Sequence, residues 1–174
     1  MVPLKTNRLL IRPWHNDDLE ALAEINADPD VMRYIGTGIP LTFEETKQSL
    51  ARHMDSQDRR GYCMWAVEMR DSGEVIGVCG LIDYRDDEVE TGWRLARRCW
   101  GRGLATEAAR CVQNHAFATL NLPRLIAIAY PQNQPSIHIM KKLGMQFRKM
   151  DHHAGVEVVY YTVENPRQAA EPSD

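Results

Sequence analysis

Hydrophobic and polar positions change period along the chain, and each period predicts an element. Alternation with a period of two predicts strands over residues 62–69, 75–82 and 89–95. The Asp71-Ser72-Gly73 turn between the first two strands predicts a hairpin. In the third strand, Val89, Thr91, Trp93 and Leu95 share one face, and Glu90, Gly92 and Arg94 share the other.

Helical spacing appears in four other segments. An apolar face follows the cap candidates Asn16 and Asp17, and a capping box from Thr42 to Glu45 opens a helix that is expected to reach about Met54. Residues 104–120 carry an apolar face along their whole length. A short helix over residues 136–142 is expected to end at Gly144.

The remaining apolar runs predict four more strands. Residues 9–11 form a short one, residues 125–130 are apolar enough to be covered on both faces, and residues 145–150 and 156–163 form a final hairpin. This order of elements predicts an α+β fold with a mixed, mostly antiparallel sheet. At 174 residues, we expect one domain over residues 1–164 and a loose tail over residues 165–174.

Composition narrows the class of protein. Hydrophobic residues make up 44% and charged residues 26%, which is ordinary for a soluble globular protein, and the net charge of −3 argues against a nucleic-acid binder. The four cysteines have no Cys-x-x-Cys spacing, so we expect reduced thiols and no metal site. No long apolar run or signal peptide is visible, and we expect a cytoplasmic protein without membrane contact.

The segment from Arg97 to Thr106 joins the strand at 89–95 to the helix at 104–120. Gly101 and Gly103 let backbone amides approach a ligand, and the first N–H groups of the helix add about half a positive charge. The arginines of this segment can donate paired hydrogen bonds to phosphate oxygens. The junction therefore predicts a phosphate-binding site.

Two common phosphate motifs do not match this junction. A nucleoside-triphosphate loop requires Gly-Lys-Ser/Thr, but Gly103 is followed by Leu104 and Ala105. A dinucleotide loop requires a third glycine where this chain has Thr106. The ligand is therefore expected to be another phosphorylated compound.

The remaining pattern, Arg98-x-x-Gly101-x-Gly103-x-Ala105, resembles the pyrophosphate-binding motif of the GNAT N-acetyltransferases. Downstream, Asn133-x-x-Ser136 and the run from Lys142 to Met145 are typical of the branch that includes the ribosomal-protein N-terminal alanine and serine acetyltransferases. The opening Thr6-x-Arg8-Leu9-x-Ile11-Arg12 is similar to that branch as well. The resemblance spans about residues 5 to 163.

This resemblance implies a GNAT fold with about six to seven strands, in which the strands around Glu90 and Ile128 splay apart. It implies acetyl-CoA as co-substrate, no metal, an amine acceptor, and a monomer or homodimer. The pantetheine arm of CoA would lie in the gap between the two strands. The residues expected to bind the cofactor are Leu95, Ala96, Arg97, Arg98, Gly101, Arg102, Gly103, Leu104, Ala105, Thr106, Asn133 and Ser136.

Glu90 and Ser136 are the candidate catalytic residues. Glu90 is the expected base, acting through water, because many members of the resembled family have a glutamate at this position; the alternative is a solvated side chain of the acidic segment 83–90. The resemblance implies that Ser136 reaches the CoA sulfur; the alternative is that Ser136 is simply the N-terminal hydroxyl of a helix. Many members have a tyrosine acid where this chain has Met140.

The expected activity is therefore acetyl transfer from acetyl-CoA to a primary amine, on a protein N-terminus or a small molecule. An α-amine with a pKa of about 7.7–8.0 costs only about 1 kcal/mol to deprotonate at pH 7, whereas a lysine near 10.4 costs about 4 kcal/mol. Weak acid and base equipment thus favours α-amines. The alternative is a non-catalytic acyl-CoA-binding sensor or interaction domain.

Overall fold

The computed structural model describes residues 2–168, and its elements follow the predicted order. The strands are β1 (Leu4–Lys5), β2 (Leu9–Arg12), β3 (Met64–Met69), β4 (Val75–Asp83), β5 (Val89–Leu95), β6 (Arg124–Ala129), β7 (Gln146–His153) and β8 (Val156–Glu164). The helices are α1 (Leu19–Ala27), α2 (Pro29–Met32), α3 (Phe43–Arg60), α4 (Leu104–Ala118) and α5 (Gln134–Lys142).

The strands form one sheet with the order β1-β2-β3-β4-β5-β6-β8-β7. Neighbouring strands are antiparallel except β5 and β6, which run parallel. The predicted α+β class with a mixed, mostly antiparallel sheet is confirmed. The sheet has eight strands where six to seven were expected, because the two-residue β1 is too short to show a period in the sequence.

The sheet opens between β5 and β6. Their ladder consists of the single register pair Glu90↔Ile126, whereas β4 and β5 pair over seven positions, from Gly77↔Leu95 to Asp83↔Val89. Hydrogen bonding between β5 and β6 is therefore confined to their first residues. The splayed central strands that the resemblance implied are present, and the gap between them lies at the carboxyl ends of both strands.

Local chemistry explains the bounds of α3. The Thr42 hydroxyl accepts from the Glu45 amide (3.2 Å) and the Glu45 carboxylate accepts from the Thr42 amide (2.8 Å), which is the predicted capping box. The helix continues six residues past the expected end at Met54. Those residues are polar and show no apolar period, but Asp55 and Arg59 form an i,i+4 ion pair, and Gly61 ends the helix at φ +77°.

The segment after β8 is anchored as far as the structure describes it. Asn165, where the loose tail was expected to begin, is 1% exposed, and its side-chain amide donates to the carbonyls of Phe117 and Leu122. Gln168 donates to the carbonyl of Asn121. Residues 165–168 are therefore tied to the end of α4, and the rest of the expected tail lies outside the described residues.

No helix among residues 2–168 combines the length and the apolar character that crossing a membrane requires.

Candidate functional site

The segment between β5 and α4 is a tight loop shaped by two glycines. The Ala96 amide donates to the Ile76 carbonyl (2.8 Å), and a single 3-10 turn follows over Arg97–Cys99. Gly101 and Gly103 have φ values of +72° and +74°, in the left-handed region that other residues adopt only with strain. Backbone conformation therefore explains why glycine stands at both positions.

The amides of residues 101–106 are available to a ligand. None of them donates to an acceptor in the described part of the chain, and the first intact bond runs from the Glu107 amide to the Gly103 carbonyl (3.1 Å). They lie at the N-terminus of a 15-residue helix, where the dipole favours an anion. A Cβ added at Gly101 would meet nothing within 4 Å, so this side of the loop is open.

Two of the three arginines that were expected to bind phosphate form ion pairs with acidic residues. Arg97 pairs with Asp30 (2.6 Å), and Arg98 donates to Glu74 (3.0 Å from Nε) and lies 3.4 Å from Glu24. These pairs are partly exposed, so each is weak enough to be exchanged for a phosphate contact. Beside them, a cavity of about 280 Å³ separates the loop from α1 and α2; it is lined by Glu24, Ile25, Asp28, Val31, Ala96, Arg97 and Arg98.

The N-terminal motif Thr6-x-Arg8 is hydrogen-bonded to α4 and to the glycine loop. Arg8 binds Glu107 of α4 through its guanidinium (2.6 and 2.8 Å) and its amide (3.1 Å), and Thr6 donates to the same carboxylate (2.5 Å). Arg8 also donates to the Arg102 carbonyl (3.0 Å). These contacts give a structural reason for the Thr6-x-Arg8 motif. Glu107 lies in the first turn of α4, where a carboxylate compensates the helix dipole, and it is also the anchor of this network.

The resemblance implies that this loop binds acetyl-CoA, and on that basis we predict that Arg8→Gln weakens acetyl-CoA binding by changing the shape of the loop. The lost contacts are partly exposed, so we expect the KM for acetyl-CoA to rise about five-fold, or about 1 kcal/mol, with the KM for the amine unchanged. Steady-state kinetics measures both constants. Arg70→Gln is the matched control, because Arg70 holds the same segment through the carbonyls of Thr6 and Asn7 without touching the loop. Equal effects of the two variants would contradict the prediction.

Glu90 lies where β5 and β6 part. Its side chain is half-buried, and its carboxylate lies near the Ile128 amide across the gap, which partly offsets the effect of burial on its pKa. Burial raises the pKa of Glu90 to about 7. A carboxyl group with this pKa exchanges protons readily near neutral pH, which is what a general base requires. The prediction that Glu90 is the base stays a prediction, but its environment differs from that of a fully solvated acid.

The rest of the acidic segment is largely neutralised by arginines. Asp83 pairs with Arg60 (2.8 Å) and Glu88 pairs with Arg124 (3.2 Å), so only residues 86–87 remain exposed and without an ion pair in the described chain. These ion pairs weaken the long-range attraction that the segment can exert on a cation.

The second predicted segment follows β6. Because β5 and β6 are parallel, the loops that leave their carboxyl ends lie at the same edge of the sheet, so residues 133–136 flank the gap opposite the glycine loop. Asn133 caps α5 by accepting from the Ser136 amide (3.3 Å). The Ser136 hydroxyl has no hydrogen-bond partner in the described chain. Met140 is 1% exposed and belongs to the core.

Arg94 was not assigned a role from the sequence. It shares a strand face with Glu90 and is half-buried, but no carboxylate of the described residues pairs with it, and its Nε atom has no hydrogen-bond partner. The alternation of residues 89–95 placed it on this face. The absence of a counter-ion depends on which helices cover the sheet, and the local sequence carries no signal for it.

Comparison with known proteins adds the family and the fold. A family model described as "Acetyltransferase (GNAT) domain" matches residues 8–146. The N-acetyltransferase p20 of Bacillus licheniformis, named as uncharacterized, is 31% identical over 84% of this chain and 83% of its own length. The spermidine N(1)-acetyltransferase of Escherichia coli K12 is 29% identical over 77% of this chain and 70% of its own length.

Solved structures with a similar fold include other acetyltransferases. A GNAT-family acetyltransferase from Bacillus anthracis superposes with a TM-score of 0.83 at 28% identity, covering 94% of this chain and 99% of the other. The ribosomal-protein-S5-alanine acetyltransferase of Vibrio fischeri superposes with a TM-score of 0.78 over 95% and 98% of the two chains. At 16% identity, the latter shows a shared fold alone.

Proposed function

The chain belongs to the GNAT acetyltransferase family and is an N-acetyltransferase, and we propose that its acceptor is an α-amine, on a protein N-terminus or a small molecule. GNAT acetyltransferases use acetyl-CoA. The observation that supports this site most strongly is the row of unpaired amides at residues 101–106, which opens beside the gap that contains Glu90. We propose that one domain, residues 1–164, carries the whole activity.

The residues suit acetyl-CoA in a defined orientation. The free amides of residues 101–106 would bind the pyrophosphate, and Arg97, Arg98 and Arg102 would add contacts to the phosphates. The pantetheine arm would lie in the gap between β5 and β6, bounded by Leu95 and Ala96 on one side and by Asn133 and Ser136 on the other. That orientation directs the acetyl group along β5 towards Glu90.

Acetyl transfer then requires three contributions from the protein: removal of the amine proton, stabilisation of the carbonyl oxygen and departure of the sulfur. The Glu90 carboxylate takes a proton from the amine through a water molecule while the new C–N bond forms. Backbone N–H groups near residues 93–95 would stabilise the charge on the carbonyl oxygen. The C–S bond breaks, and the sulfur leaves as a thiolate or takes a proton from Ser136, since Met140 is buried and has no proton to give.

We predict that α-amines are acetylated in preference to lysine side chains. The deprotonation cost differs by about 3 kcal/mol between them, and a Glu90 carboxylate with a pKa of about 7 is a weak base for an ammonium group with a pKa near 10.4. Two matched peptides test the preference: one has a free N-terminus and no lysine, and the other is N-blocked with a single lysine. The measurement is release of the CoA thiol, reported as kcat/KM for each peptide.

The same assay separates an enzyme from a protein that only binds acyl-CoA. If acetyl-CoA binds in calorimetry but a panel of peptides, amino acids and polyamines releases no CoA above hydrolysis, the proposed function is wrong. A higher kcat/KM for the blocked lysine peptide would refute only the preference for α-amines.

A further inference from the structure

Arg94 is a charged residue in the middle of the sheet, facing the same side as Glu90. It lies in register with the buried Val78 on the neighbouring strand β4, so the aliphatic part of its side chain lies on a covered face of the sheet. Its Nη1 atom lies 3.8 Å from the Met32 sulfur of α2, and His53 of α3 is close enough to be influenced by its charge. Arg94 therefore points into the space beneath α2 and α3, on the Glu90 side of β5.

The guanidinium has no counter-ion there. Its Nε atom is buried without a partner, and it forms no ion pair within residues 2–168. Burial lowers the pKa of Arg94 to about 10. Burial, followed by the charges of Arg94 and Arg52, lowers the pKa of His53 to about 4, so the neighbouring imidazole is neutral at pH 7 and supplies no charge.

A second arginine on the same face, Arg12, has the carboxylate partners that Arg94 lacks within the described chain. Arg12 pairs with Ala66 in the sheet, in the row that continues through Val78 to Arg94. Its guanidinium binds Asp18 (2.7 Å) and Glu68 (2.7 Å). Because partly buried guanidinium groups normally have such partners, the isolation of Arg94 indicates that its anion comes from outside the chain.

We propose that Arg94 binds a carboxylate on the acceptor, so that the acceptor is an amino-acid-like molecule whose amine lies towards Glu90. This inference rests on the proposed function and narrows its acceptor class. Glu90 and Arg94 are four positions apart on one strand, about 13 Å between Cα atoms. Gly92 between them has no side chain, and the Met64 side chain from β3 covers it, with its Cε atom 3.2 Å from where a Cβ would stand, so the intervening surface is apolar. The guanidinium fork matches a carboxylate with two parallel hydrogen bonds.

The CoA phosphates are not the anion in question. The free amides that would bind the pyrophosphate lie at the start of α4, whereas the Arg94 guanidinium points beneath α2 and α3; Arg97 of the loop also reaches α2, but it is held there by Asp30. Loss of Arg94 should therefore affect the acceptor and leave acetyl-CoA binding unchanged. A polyamine, which has no anionic group, should be a poor acceptor.

The test uses lysine-free glycine peptides of two to five residues with a free N-terminal α-amine, each with a C-terminal carboxylate paired with its C-terminal carboxamide, so that the distance between the two ends increases along the series. Wild-type protein is expected to use the preferred carboxylate at least ten-fold better than its carboxamide, measured as kcat/KM from CoA release. Arg94→Met should abolish that difference by raising the KM for the carboxylate, with the KM for acetyl-CoA unchanged. Arg94→Lys should restore part of the difference.

Stability supplies the control for folding. Arg94→Met removes an unpaired charge and keeps the apolar stem, so its Tm should equal or exceed that of the wild type. Arg12→Met removes a charge with two partners and should lower the Tm, because it leaves Asp18 and Glu68 unpaired. A large loss of Tm in Arg94→Met would indicate a partner within the chain and would overturn the proposal.

A binding measurement tests this inference separately from the proposed function. Calorimetry of the carboxylated amines with wild type and Arg94→Met requires no turnover, and Arg94-dependent binding supports the inference even where no amine releases CoA. Equal binding by the two proteins, or equal use of carboxylate and carboxamide by the wild type, would overturn it. Failure of every amine to release CoA would overturn the proposed function alone.

Discussion

Gly101→Val is expected to abolish acetyl-CoA binding while the protein remains folded. The side of the loop at Gly101 is open, with nothing within 4 Å of a built Cβ, and this is the space that the pyrophosphate is expected to occupy. A β-branched side chain there blocks the approach to the amides of residues 101–106. It also disfavours the φ of +72° that aims those amides. We expect the affinity in calorimetry to fall by more than about 100-fold, equivalent to about 2.7 kcal/mol.

Gly61→Val is the matched control for backbone strain. Gly61 has a φ of +77° and open space around it, but it lies at the end of α3, away from the glycine loop. Both variants should lose about 1–2 kcal/mol of stability from the left-handed conformation, and only Gly101→Val should lose acetyl-CoA. Unchanged affinity in Gly101→Val, with an intact circular dichroism spectrum, would place the phosphates elsewhere.

The sequence predicted the parts of the fold and site that local chemistry determines. Alternation placed Glu90 and Arg94 on one strand face, and paired glycines marked the loop before α4. β1 escaped prediction because Leu4–Lys5 is defined only by pairing with β2. The last six residues of α3 were not predicted because a polar helix end stabilised by an ion pair has no apolar period.

Features that depend on distant residues were not predictable. Arg97 and Arg98 were expected to be free for phosphate, yet their present partners, Asp30 and Glu74, come from segments separated in sequence by 67 and 24 residues. Asn165 reads as the start of a polar tail, but it is buried against the end of α4. The missing counter-ion of Arg94 is likewise a property of the packed molecule.

Glu90 and Arg94 share an energetic character that separates them from most charged groups of this protein. Both are partly buried without an ion-pair partner in the described chain, and burial shifts the pKa of each towards its neutral form. Natural proteins keep such destabilising groups mainly where function requires them. The acceptor face of β5 is thus expected to become more stable when either charge is removed, at the expense of activity.

Glu90→Gln is expected to lower kcat by about 100-fold at pH 7, the lower end of the range for general base catalysis. The base acts as a carboxylate, and burial raises the pKa of Glu90 to about 7, so wild-type kcat/KM should rise with pH through about 7. The variant should lack that rise. It should recover part of the lost rate at higher pH, where more of the amine is neutral without help.

The same substitution has an opposite, pH-dependent effect on stability. Burial raises the pKa of Glu90 from 4.5 to about 7, so between these values the folded protein binds more protons than the unfolded chain. Wild-type stability therefore falls as the pH rises from about 4.5 to about 7, and the full penalty remains above pH 7. Glu90→Gln removes this penalty, so its Tm at pH 8 should exceed that of the wild type, with little difference at pH 4.

These two readouts distinguish a catalytic carboxylate from a structural one. A structural Glu90 would lower the Tm when replaced and would leave the pH profile of kcat/KM unchanged in shape. Glu157→Gln, the same substitution at an exposed position of β8, should alter neither readout. A pH–rate profile of Glu90→Gln that matches the wild type would show that the proton of the amine leaves by another route. The gap between β5 and β6 would then contain a partly buried carboxylate without a catalytic role.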